Sequence, residues 1–187
     1  MVKTGRNVAV ALAAIGALIG SPRTSAAADA EDLTNTMRTS SHVRSVSAAI
    51  ESLIAQAMEG SATFRRLVED IDASDSYVYV NEGHCGHGVR ACFVTVSSSG
   101  ARRFMWVKVD THYYTTDADL MGSIGHELRH TLEAISEPSV RTDTARFFLY
   151  ERIGSHATSA PETQAATDAG ATVRREVLKF NREPKSD

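Results

Sequence analysis

The chain has 187 residues, enough for one domain, with 42% hydrophobic residues and a formal net charge of −3. A mildly acidic chain is a poor candidate for binding nucleic acid. No block of like charge, low-complexity tract or internal repeat is visible, which argues against an interaction tail or a repeat protein.

The first 28 residues have the pattern of a secretory signal peptide. Lys3 and Arg6 precede the uncharged apolar run Val8–Gly20, and Ala26–Ala28 offers an A-x-A cleavage site. An uncleaved membrane anchor is the alternative, but the apolar run is shorter than the about 20 residues that span a bilayer. Cleavage would also remove Arg23 and no acid, which changes the net charge from −3 to −6. We therefore predict a secreted or periplasmic protein without stable membrane insertion, with a flexible tether at 29–41, one domain at 42–180 and a charged tail at 181–187.

The two cysteines, Cys85 and Cys92, close a short loop. Exported proteins meet an oxidising compartment, so the sequence favours a disulfide between them. The competing interpretation is a second metal site made by His84, Cys85, His87 and Cys92, whose spacing does not match a known zinc motif.

The apolar spacing predicts helices first and strands afterwards. Residues 42–59 keep a helical period that includes Val43 and Val46, Gly60 ends this helix, and Ser61 caps a second, shorter one. Alternation with period two then predicts strands at 77–80, 89–97 and 104–109, the last two joined by a turn at 97–100 as an antiparallel hairpin.

The segment from Asp117 to Glu137 lacks proline and repeats apolar residues at helical spacing. Thr116 or Asp117 can cap its start and Pro138 stops it. Gly122 and Gly125 weaken a helix, so they indicate that another backbone or a substrate approaches closely.

Within this helix, residues 126–130 read H-E-x-x-H. Histidines four residues apart lie on one helix face, so His126 and His130 can bind one Zn2+ while Glu127 acts as the general base toward a zinc-bound water. The alternative is that all three are ordinary polar residues of a solvated helix face. A catalytic zinc needs a third protein ligand, for which Glu133, Glu137 and Glu162 compete.

Two further helices are expected, from Arg141 to Ile153 and from Pro161 to about Phe180. Tyr150 and His156 are our candidates for stabilising the oxyanion of a tetrahedral intermediate, ahead of the tyrosines at 113 and 114.

Residues 126–133, the helix ending at 150–154 and the segment 161–166 resemble small exported bacterial proteins of the zincin superfamily, and more specifically compact gluzincins. The resemblance covers roughly Tyr77 to Glu176. It implies that His126 and His130 are metal ligands, Glu127 the general base and Glu162 the third ligand, although Ala166 departs from the longer E-x-x-x-D pattern. We prefer Glu162 to Glu133, because ligands on one straight helix lie nearly in a line. Glu133 would then be a second-shell residue that orients a ligand histidine.

We expect an α+β fold with two N-terminal helices, a small, mostly antiparallel three-stranded sheet, the motif helix and two C-terminal helices. The predicted function is an exported zinc-dependent hydrolase, most simply a metallopeptidase acting on a peptide or protein aligned along a sheet edge. The alternative is a non-catalytic metal-binding or protein-interaction module on the same scaffold.

Overall fold

A computed structural model describes residues 41–86, 89–112, 116–155 and 161–183 of the chain. The predicted signal peptide and most of the predicted tether lie outside the described residues. In chain order the elements are β1 (Val43–Arg44), α1 (Ala48–Gly60), α2 (Ala62–Asp72), β2 (Ser76–Glu82), β3 (Ala91–Ser99), β4 (Arg102–Val109), α3 (Asp117–Ile135), α4 (Asp143–Ile153) and α5 (Gln164–Phe180).

The predicted fold, with its three-stranded and mostly antiparallel sheet, is wrong, because within the described residues five helices accompany a four-stranded mixed sheet. The strand order is β1-β2-β4-β3, in which β2 runs parallel to both of its neighbours and only β3 and β4 pair antiparallel. The chain reaches β3 at the far edge before β4 fills the place between β2 and β3. A prediction based on hairpins does not give this order, since it pairs only strands that are adjacent in sequence.

The first strand, β1, lies where the apolar spacing of the sequence predicts the start of a helix. Val43 is buried, but it pairs with Val78 in the sheet. The helix α1 begins only after Ser47, whose side chain accepts a hydrogen bond from the Ile50 N–H. Val46 lies before this helix and is 89% exposed, so it is not part of the helical face that the sequence predicts.

The predicted hairpin of β3 and β4 is present, and Gly100 occupies its turn with a φ of +56°. Phe93 lies opposite Val107, and Thr95 lies opposite Trp106, so β3 contains an extra residue, a β-bulge. The bulge lies on an edge strand of the sheet, beside the motif helix.

The motif helix α3 packs closely against α5, and its glycines permit this contact. A Cβ on Gly122 would lie 3.0 Å from the Gly170 carbonyl oxygen, and one on Gly170 would lie 2.9 Å from the Gly122 carbonyl oxygen. A Cβ on Gly125 would lie 2.8 Å from a methyl group of Val173. The expectation that another backbone approaches closely is therefore confirmed at Gly122, whereas the close neighbour of Gly125 is the Val173 side chain.

Cys85 and Cys92 form the predicted disulfide, with their Cα atoms 5.9 Å apart. This rules out the second metal site that needed both thiols. A disulfide is typical of an oxidising compartment. Among the described helices, none has the length and apolar character needed to cross a bilayer.

Candidate metal centre

The helix α3 brings two imidazole rings together. A capping box fixes its first turn: the Thr116 side chain accepts from the Asp119 N–H, while the Asp119 carboxylate accepts from Thr116. One turn apart in the second half of the helix, His126 and His130 place their Nε2 atoms 3.1 Å from each other. The side chain of His130 is 8% exposed and that of His126 is 22% exposed.

Glu162 reaches the two histidines from another part of the chain. It precedes α5 and is not in its first turn, contrary to the predicted start of that helix at Pro161, because Thr163 is the N-cap and Gln164 the first helical residue. Its backbone is fixed to Ser155 by hydrogen bonds of 2.7 and 3.1 Å. Its Oε2 lies 3.0 Å from the His126 Nε2 and 3.4 Å from the His130 Nε2.

These three side chains form a group that could hold a metal ion. Ligands about 2.0–2.1 Å from a tetrahedral zinc are separated by about 3.3 Å, and the three observed separations lie close to this value. The buried Oε2 of Glu162 also has no hydrogen-bond partner of acceptable geometry within the described ranges. The imidazoles of His126 and His130 hold the pKa of Glu162 at about 2, so the carboxylate is available as an anionic ligand.

Glu133 lies on the other side of the His130 ring. Its Oε2 is 2.9 Å from the His130 Nδ1, and its Oε1 accepts a 2.7 Å hydrogen bond from the Thr163 hydroxyl. Glu133 thus orients His130 so that Nε2 faces the other two ligand atoms, and it fixes the residue that follows Glu162. Both contacts suit a second-shell role.

Glu127 is only 7% exposed and lies between two cavities that meet at the candidate metal centre. Burial raises the pKa of its carboxyl group, while the neighbouring His126 and His130 oppose that shift. The backbone of Phe93, on the edge strand β3, also opposes the rise of this pKa.

The first cavity has a volume of about 360 Å³ and is mostly apolar. Its described lining includes the disulfide, residues of β3, the metal-centre residues Glu127, His130 and Glu162, and three side chains of α4. The three α4 residues that line the first cavity are Arg146, Phe147 and Tyr150. The second cavity, of about 500 Å³, lies over the contact between α3 and α5.

The predicted oxyanion donors are not both at the site in the described structure. The Tyr150 hydroxyl donates a 2.5 Å hydrogen bond to the backbone carbonyl of His130, and its ring meets the imidazole edge to face at 5.1 Å. Burial raises the pKa of Tyr150. This contact makes Tyr150 a residue that positions His130. His156 lies outside the described residues.

Sequence reasoning missed Thr163 and Arg146. Thr163 could have been found, since threonine is a preferred N-cap and stands directly before the helical run of α5. Arg146 gave no signal, because its position at the cavity depends on how α4 packs against the bulge in β3.

Comparisons of the chain with family models, with curated proteins and with solved structures find no significant match. The geometry of the site is therefore the basis for inferring a function.

Proposed function

We propose that this protein is an exported zinc-dependent hydrolase that cleaves peptide bonds. The observation that carries the proposal is the close triangle formed by the His126 Nε2, His130 Nε2 and Glu162 Oε2 atoms. The buried Glu127, which follows His126 in the sequence, lines the same two cavities. This ligand set, two imidazoles and one carboxylate, is one that catalytic zinc uses.

The residues divide the work between binding and proton transfer. Zinc held by His126, His130 and Glu162 would supply Lewis acidity, polarising a carbonyl group and lowering the pKa of water. Glu127 would accept the proton of the attacking water and return it to the nitrogen of the leaving amine. The burial of Glu127 would strengthen its interactions with the charges that develop during the reaction.

The edge of β3 offers less room for a peptide strand than the sequence predicted. The carbonyl oxygens of Phe93 and Val94 accept hydrogen bonds from Arg146, and the Val96 N–H donates to Asp143. This stretch of the edge is already bonded to α4. Substrate recognition would therefore depend on the cavity beside the metal centre.

The test combines metal content with cleavage of a mixed peptide library followed by mass spectrometry. Wild type and Glu127→Gln should both contain about one zinc per chain, while the variant should lose about 10²–10⁴-fold in cleavage rate. The control is Glu69→Gln, which changes an exposed carboxylate on α2 and should leave both measurements unchanged.

Three results would contradict the proposal. Absence of bound metal after zinc is added back would remove the site. Unaltered cleavage in Glu127→Gln would remove the mechanism, and metal binding without any cleavage would favour the interaction-module alternative.

A further inference from the structure

The first cavity contains one permanently cationic side chain, that of Arg146. No other lysine or arginine contributes to its described lining. Arg146 lies on α4, with its guanidinium 5.2 Å from the centre of the Phe93 ring, and its side chain is 23% exposed. Apart from Arg146 and the residues Glu127, His130 and Glu162 at the candidate metal centre, most of the described lining is apolar.

The hydrogen bonds of Arg146 within the protein use only part of its guanidinium. Nη1 donates to the Phe93 carbonyl at 3.2 Å and Nη2 to the Val94 carbonyl at 3.0 Å. A guanidinium has five N–H donors. Among the described residues the buried Nε has no hydrogen-bond partner, although the Asp143 Oδ1 lies 3.5 Å away. Because Nε is buried, a ligand in the cavity would have to bind the second N–H group of Nη1 or Nη2.

Asp143 forms an ion pair with this guanidinium and also binds the bulged strand. The Thr95 hydroxyl donates to one of its carboxylate oxygens at 2.6 Å, and the Val96 N–H donates to the other at 2.7 Å. The same contacts fix the first turn of α4 against the bulged strand. Arg146 is therefore held in place before any ligand arrives, which limits the entropy that a ligand contact would cost.

We propose that Arg146 forms a carboxylate-binding subsite next to the metal centre. The guanidinium would bind the carboxylate through its remaining donors, and the apolar walls formed by Val89, Phe93 and Phe147 would contact the hydrocarbon chain that carries it. The ligand class is thus a peptide with a carboxylate close to the cleaved bond. Both an acidic side chain and a free C-terminus supply this chemistry. The subsite rests on the proposed function for its role in substrate selection, but not for binding itself.

Binding can be measured without catalysis. The probes are 3-phenylpropanoate and its uncharged analogue 3-phenylpropanamide, titrated into the full chain after chelation of metal and again after zinc is restored. The carboxylate should bind about 10–100-fold more tightly than the amide in both states, as expected for a charged, two-pronged contact. Equal binding of the two probes would overturn the subsite. A preference seen only with zinc would also overturn it, since the carboxylate would then bind the metal.

Variants on α4 locate the interaction. Arg146→Met should abolish the preference for the carboxylate, whereas Arg152→Met, a matched change at a 63% exposed position of the same helix, should retain it. Because Arg146 also holds β3, Phe147→Ala provides a second variant at an exposed position, and it should weaken both probes. Retention of the preference in a folded Arg146→Met variant would refute the assignment.

The source of the carboxylate is decided with three peptides of one sequence: one with an acidic side chain and an amidated end, one neutral with a free C-terminus, and one neutral and amidated. At least one of the first two should bind more tightly than the third, and the tighter one identifies the source. Equal binding of all three would contradict the subsite while leaving the proposed zinc site intact. Loss of zinc binding alone would contradict the proposed function while leaving the carboxylate preference intact.

Discussion

Replacement of Arg103 by methionine should destabilise the protein more than any other single arginine change on β4. Arg103 is 4% exposed and donates to the backbone carbonyls that end α3 and form the following turn. Its partners there are the carbonyl oxygens of Ala134 at 3.0 Å, Ile135 at 2.9 Å, Glu137 at 3.2 Å and Val140 at 3.4 Å, and it also pairs with Asp75 at 2.7 Å.

The magnitude follows from the groups left without a partner. Two of the hydrogen bonds, to Ala134 and Val140, are buried, and a buried acceptor without its donor costs about 1–3 kcal/mol. The positive charge also neutralises the negative end of the helix dipole, which adds up to about 1 kcal/mol. We expect Arg103→Met to lower the free energy of unfolding by about 4 kcal/mol in total, and Arg103→Lys to lower it by about half as much, because lysine keeps the charge but not the planar fork.

The assay is urea unfolding followed by the fluorescence of Trp106, which is the single tryptophan and lies on the same strand. Arg102→Met provides the control. Arg102 is exposed, and its guanidinium lies 5.9 Å from the centre of the Tyr77 ring. The free energy of unfolding of this variant should therefore stay within about 0.5 kcal/mol of wild type. A loss in Arg103→Met no larger than in Arg102→Met would show that these hydrogen bonds do not hold the end of the motif helix.

Three other changes test the surroundings of the site. Glu133→Gln should weaken zinc binding by about 10-fold or more in a chelator competition, whereas Glu137→Gln, in the turn that follows the same helix and 42% exposed, should not; equal affinities would refute the orienting role. Gly170→Ala should lower both the melting temperature and zinc affinity, since the new methyl group would force α5 away from a backbone carbonyl 2.9 Å away; an unchanged protein would show that this contact is not tight. The guanidinium of Arg174 is the main cause that holds the pKa of Asp119 at about 2, so the stability it provides is present above about pH 4 and lost as the pH falls toward 2. Over that range, unfolding of metal-free wild type should lose about 1 kcal/mol more than Asp119→Asn, allowing for the exposure of the arginine, and parallel pH profiles would refute this coupling.

The sequence predicted those parts of the molecule that depend on neighbours along the chain. The helix cap, which the sequence assigned to Thr116 or Asp117, and the histidines at 126 and 130 are local patterns, and so is the hairpin turn that contains Gly100. Each is determined within about one turn of helix or one tight turn. The same holds for the disulfide, whose cysteines are separated by seven positions.

The sheet could not be predicted in the same way. Val43 and Arg44 form a strand of two residues, too short for any period to distinguish it from the start of a helix. The parallel pairing of β2 with β4 joins residues far apart in sequence, such as Val78 and Met105. The strand that lies between them in the chain, β3, is at the edge of the sheet. Only tertiary packing determines that order.

The metal centre depends on both kinds of information. One helix is enough to bring His126 and His130 together. The position of Glu162 beside them depends on three tertiary contacts. Its backbone pairs with Ser155, the next residue is bonded to Glu133, and Gly170 allows α5 to lie against α3. A metal that joins α3 to Glu162 would bind the folded state alone, so it would raise the free energy of unfolding in proportion to its affinity. Changes that loosen the contact between α3 and α5 should therefore weaken metal binding even when every ligand remains, which is why the triangle of ligands and the packing of these two helices have to be tested together.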